Sequence, residues 1–139
     1  MKNWWFIFLL LQSLSAFGID LKIEVQNIKS NQGTIKMALF PEGSDFPNDY
    51  NSAQESAVVY VENLKAHYTF ENLKSGIYAI ALFHDLNQND NLDTNFAGIP
   101  LEPFGLSNNP RLFGKPTFKK CKFELNQDQM ITIQLKKIF

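Results

Sequence analysis

Leu21, Ile23 and Val25 alternate with Lys22, Glu24 and Gln26, the two-residue period of a strand with one buried face. The same period closes the chain, where Ile131, Ile133 and Leu135 alternate with Thr132 and Gln134 in a strand over 130–135. Between these ends the pattern predicts strands at 34–40, 57–62, 67–71, 77–83 and 118–125. The 77–83 run (Ile-Tyr-Ala-Ile-Ala-Leu-Phe) is apolar at both parities, as in a central strand covered on both faces. Turn residues separate the runs. Asn31-Gln32-Gly33 between the first two strands reads as a β-hairpin, and Leu73-Lys74-Ser75-Gly76 leads into the apolar strand. A polar loop with two prolines follows residue 40, with a helical turn expected at 52–54. No stretch sustains a helical period. About seven strands in a domain of roughly 120 residues predict an all-β antiparallel sandwich, immunoglobulin-like or transthyretin-like.

Residues 85–117 are too long for an ordinary connection, since loops beyond about 12–15 residues are functional or disordered. Phe96, Ile99, Leu101, Phe104, Leu106, Leu112 and Phe113 are too many large apolar groups for disorder. The segment is expected to be an ordered excursion between the last strands, capping one end of the sandwich.

The first residues change the picture of where the domain begins. Lys2, the apolar run Trp-Trp-Phe-Ile-Phe-Leu-Leu-Leu over 4–11 and Ala16-Phe17-Gly18 have the order of a signal peptide, 1–18. The run falls short of the ~20 residues of a spanning helix; an uncleaved anchor is the alternative. No Cys follows it, which argues against a lipid anchor. The expectation is export to the periplasm or the outside of the cell, no membrane span in the mature chain, and one domain, 19–139.

The formal net charge of −1 becomes −2 without Lys2, too acidic for the basic footprint of a nucleic-acid binder or for attraction to an anionic membrane. Cys121 is the single cysteine, so no internal disulfide exists and packing must stabilise the fold. Its parity with Phe123 and Leu125 places it on the core face as a small hydrophobe.

Candidate chemistry lies straight after the central strand. Phe-His-Asp-Leu-Asn-Gln-Asn-Asp-Asn-Leu-Asp-Thr-Asn over 83–95 sets side-chain oxygens of Asp85, Asn87, Asn89 and Asp93, with the carbonyl of Asn91, at the spacing with which a tight loop wraps calcium. It is not an EF-hand. Asp90 stands where such a loop has glycine, and Phe96 stands in place of the bidentate Glu. A last ligand would come from Asp90, Asn95, Glu102 or another loop. The competing reading is a solvated turn in which Asp and Asn bond their own backbone.

Gly76-x-Tyr78, His84-Asp85, Asn87, Leu92-Asp93-Thr94-Asn95, Gly98-Ile99-Pro100 and Gly105-x-Ser107-Asn108-Asn109 occur in order, preceded by 33–40 and Phe46-Pro47. Together they resemble a family of small exported bacterial proteins known as domain of unknown function 2141. The resemblance implies a sandwich similar to transthyretin-like and carboxypeptidase-regulatory-like domains, and no established activity. Gln88 and Asp90 replace glycines common in that family, so any positive φ there must be borne by other residue types.

Two function classes follow. The first is a non-catalytic exported module, with calcium as candidate cofactor, that binds an unidentified protein or small ligand through its end loops. His84, Asn95, Asn108 and Arg111 are then candidate ligand contacts. The alternative is a metal-dependent hydrolase in which His84, Asp85 and Asp93 act with a metal-held water. A zinc site would need both histidines, His67 and His84, with carboxylates, and Ser107 does not lie in a nucleophile elbow.

Overall fold

The computed structural model describes residues 17–139, so the expected leader lies outside them but for its last two residues. Eight strands form two sheets: β1 (Ile19–Gln26), β2 (Thr34–Pro41), β3 (Glu55–Tyr60), β4 (Ala66–Leu73), β5 (Gly76–Asp85), β6 (Phe104–Leu106), β7 (Phe123–Leu125) and β8 (Gln129–Gln134). One sheet has the order β4-β1-β8; the other runs β3-β2-β5-β6, with β7 also paired to β5. The sandwich expected from the alternation is thus present. All pairings are antiparallel except β1 with β8, which run parallel from Leu21↔Gln129 to Gln26↔Gln134.

Leu21, Ile23, Val25 and Ile133 from one sheet meet Ile35, Met37, Leu39, Ile80 and Leu82 from the other in the inter-sheet core. Each such burial stabilises the fold by about 1.5–3 kcal/mol. Lys22, Glu24 and Gln26 occupy the opposite face, which explains the clean alternation of β1. Strand β5 alternates poorly because both its faces are covered. Ala79 and Phe83 belong to a second cluster with Ala38, Phe40, Phe46, Phe104, Leu106 and Cys121, formed where loops fold over the outer face of the larger sheet.

Three expectations are corrected. Residues 27–33 do not close a hairpin, because β1 and β2 belong to different sheets and the turn is a crossing between layers. Gly33 makes the crossing fit: its φ is +70°, and a Cβ there would lie 2.1 Å from the Asp85 carbonyl oxygen. The 118–125 run is not one strand. Thr117 caps a helical turn, α1 (Phe118–Cys121), by accepting from the Lys120 amide, and only 123–125 extend. Cys121 is buried, as expected, but through this turn rather than strand parity. The helical turn expected at 52–54 lies two residues earlier, at Tyr50–Ser52.

The 85–117 excursion contains β6, which returns to pair with β5. Phe104 and Leu106 plug into the second cluster and Leu112 packs against it, whereas Phe96, Leu101 and Phe113 are exposed. At β6 the two sheets nearly touch. Phe104 and Lys136 exchange backbone hydrogen bonds of 2.9 and 2.8 Å, and a Cβ on Gly105 would meet Ile133 Cγ2 at 2.5 Å.

Candidate functional site

The loop over 85–93 hangs from the end of β5 and is organised by two buried carboxylates. Asp85 is fully buried; its Oδ1 accepts from the Asn89 amide at 3.2 Å and its Oδ2 from the Asp90 amide at 2.9 Å. Glu102, 6% exposed, reaches the loop from just before β6. Its Oε2 accepts from the Leu86 amide at 2.9 Å and its Oε1 from the Asp93 amide at 3.0 Å. Four loop amides thereby find carboxyl oxygens as acceptors. These bonds hold Gln88 at φ +55° and Asp90 at φ +67°, the two positions where a glycine would be unstrained.

Above this frame the remaining polar side chains converge on Asp93. Asn87 Nδ2 donates to Asp93 Oδ2 and Asn89 Nδ2 to Asp93 Oδ1, both at 2.6 Å. The Asn87 and Asn89 oxygens accept from the amides two residues on, at 3.3 and 3.1 Å, as in Asx-turns. Rotating either amide by half a turn exchanges donor for acceptor without moving the backbone. Asn87, Asn89 and Asp93 would then present three or more oxygens to one point, the kind of ligand a hard cation takes. Asp90 pairs with Lys36 of β2 instead of joining this group.

The structure therefore brings Asp85, Asn87, Asn89, Asn91 and Asp93 into one loop, and adds Glu102 as its second anchor. Asp85 faces the backbone while Asp93 faces the asparagines. Among the described residues no three His, Cys, Asp or Glu side chains gather at metal-binding distance, so any ion here would depend on amide and carbonyl oxygens.

The other candidates lie apart from the loop's open side. His84 is 1% exposed, and its Nε2 is 2.6 Å from the Gln32 carbonyl oxygen, tying β5 to the inter-sheet crossing. His67 faces outward on the smaller sheet, so the two histidines share no site. Asn95 closes its own turn by accepting from the Ala97 and Ile99 amides at 2.9 and 3.0 Å. Arg111 is exposed.

Asn108 donates to the Lys122 and Lys120 carbonyls at 2.6 and 3.3 Å. Asn109 donates to the Thr132 carbonyl at 3.0 Å and accepts from the Gln134 amide at 2.8 Å. Ser107, fully buried, accepts from the Ile80 amide at 2.9 Å and donates to the Cys121 carbonyl at 2.5 Å. The Gly-x-Ser-Asn-Asn run is thus a clamp joining β5, α1 and β8 rather than a free polar surface. Nothing in its residue types alone distinguishes these roles; only the long-range partners do.

A family model described as "Uncharacterized protein conserved in bacteria (DUF2141)" matches residues 23–134. Neither curated proteins nor solved structures give a match.

Proposed function

The chain belongs to this bacterial family of uncharacterised proteins, and from that premise we propose that it is an exported, non-catalytic β-sandwich module whose 85–93 loop takes calcium at low affinity and whose end loops bind a protein or small ligand. The observation that carries the reading is the division of labour in the loop. Buried Asp85 and Glu102 hold its backbone, leaving Asn87, Asn89 and Asp93 bonded through their side chains chiefly to one another. With so few charges the affinity belongs near the 10⁻⁴–10⁻³ M of extracellular calcium modules. The N-terminal apolar run supports export, and no helix among the described residues is long and apolar enough to cross a membrane.

The hydrolase alternative requires His84 to reach substrate or a metal-held water. Its burial and its bond to Gln32 count against that role.

The test is thermal unfolding of the mature domain with and without calcium. A ~1 mM site at 10 mM calcium stabilises by about 1.4 kcal/mol, a rise of roughly 5 °C in Tm. An unchanged Tm, or an equal rise with magnesium and after Asp93→Ala, sinks the calcium reading. N-terminal sequencing of protein from a periplasmic fraction tests export, with Ile19 the expected first residue.

A further inference from the structure

Between the 41–54 loop and the 85–93 loop, the outer face of the five-stranded sheet is left open as a cleft of about 480 Å³, a volume within the range of small-molecule sites. Val58, Phe83 and Leu92 supply apolar surface, Tyr50 contributes an aromatic ring, and Lys36 and Asp90 bring charge. The two charges are unequal in setting. The Lys36 side chain is only 17% exposed, whereas that of its partner Asp90 is 78% exposed. With most of its side chain covered, Lys36 is held in place as an anion partner, while an exposed Asp loses little by returning to water.

We propose that this cleft binds a small amphipathic carboxylate, whose apolar body lies on Val58, Phe83 and Tyr50 and whose carboxylate displaces Asp90 from Lys36. Asp90 already marks the position, acting as a built-in occupant of the ammonium. Lys36 is the one cation in a lining that also holds Asn48, Ser56 and Asn91, so the cleft suits a single negative charge on a hydrophobic body better than a doubly charged phosphate, which calls for more cationic donors. The site uses none of Asp85, Asn87, Asn89 and Asp93, and Asp90 is paired with Lys36 rather than with that group, so it stands or falls separately from the calcium reading.

The experiment is an amide NMR titration of the mature domain with phenylacetate and with its neutral analogue phenylacetamide. Phenylacetate is expected to saturate at about 1 mM, shifting the Val58, Phe83 and Leu92 amides, with phenylacetamide about tenfold weaker or worse. Lys36→Met should abolish the preference for the acid. Asp90→Asn, which keeps a residue tolerant of positive φ and does not touch the core, should tighten phenylacetate several-fold by removing its competitor. Equal titration by acid and amide, shifts elsewhere, or unchanged affinity in Asp90→Asn would overturn the proposal.

Discussion

Two asparagine-bearing corners of this molecule use the same side chains in opposite ways. At 107–109, every side-chain hydrogen bond reaches an element at least twelve residues away: Ser107 to β5 and α1, Asn108 to the end of α1, Asn109 to β8. At 87–91, the asparagine side chains bond only within their own loop, at separations of two to six residues. Long-range bonds fix how parts of the fold meet, so their loss is felt by the whole domain. Short-range bonds in an exposed loop hold only the loop, and their partners are free to be exchanged for another ligand. The lesson is that the reach of a polar side chain, more than its type, separates structural from available chemistry.

Ser107→Ala is the strongest test of this contrast. It leaves the Ile80 amide and the Cys121 carbonyl without that partner, at a cost of about 2–4 kcal/mol in urea unfolding. A loss under ~0.5 kcal/mol would mean that the clamp is dispensable. Cys121 reports on the same corner through pH. Burial pushes its thiol from 9.0 to about 11, so the folded state keeps the proton while the unfolded chain releases it. Its contribution is complete below pH 9.0 and is lost as pH rises toward about 11, at up to about 1.4 kcal/mol per pH unit. Cys121→Ser should remove most of that slope, whatever its effect on stability at neutral pH.

At the other corner, Asn89→Ala should cost no more than about 0.5 kcal/mol without calcium, as for an exposed loop position, yet eliminate the calcium-dependent rise in Tm. A large loss without calcium would make 85–93 a structural clamp like 107–109. The smallest effect is expected of Gln88→Gly. Relief of φ +55° outweighs the added freedom of the unfolded chain by a few tenths of a kcal/mol, detectable as a small gain in midpoint.

The strands with one covered face were legible because alternation records burial directly, as in β1 and β8. The unbroken apolar run of β5 likewise announced a strand between two layers. Which strands pair was not legible at the first turn. Asn31-Gln32-Gly33 has hairpin chemistry, but Gly33 is needed for its approach to the Asp85 backbone, where the chain enters β2 alongside β5. The break in the 118–125 run was hidden because Phe118 and Cys121 are apolar in either conformation, and the Thr117 cap decided it. The carboxylates and asparagines of the loop were visible as a cluster, but their orientations were not. Asp85 looks like a ligand in the sequence, yet its bonds are to backbone amides. Asn108 reads as a ligand contact in the sequence, and its bonds to the Lys120 and Lys122 carbonyls emerge only once α1 is in place beside it.

The parallel pair of β1 and β8 joins residues 108 positions apart and makes the first strand the middle of its sheet. During synthesis β1 can meet β4 early, but it has no second neighbour until nearly the whole chain has emerged. Contacts of such sequence separation are slow to form, because the chain between them must first be ordered. The smaller sheet cannot be completed before β8 is present, and truncation within β8 would expose the backbone edge of β1. A chain that stops before β8 leaves β1 with β4 as its one neighbour in that sheet.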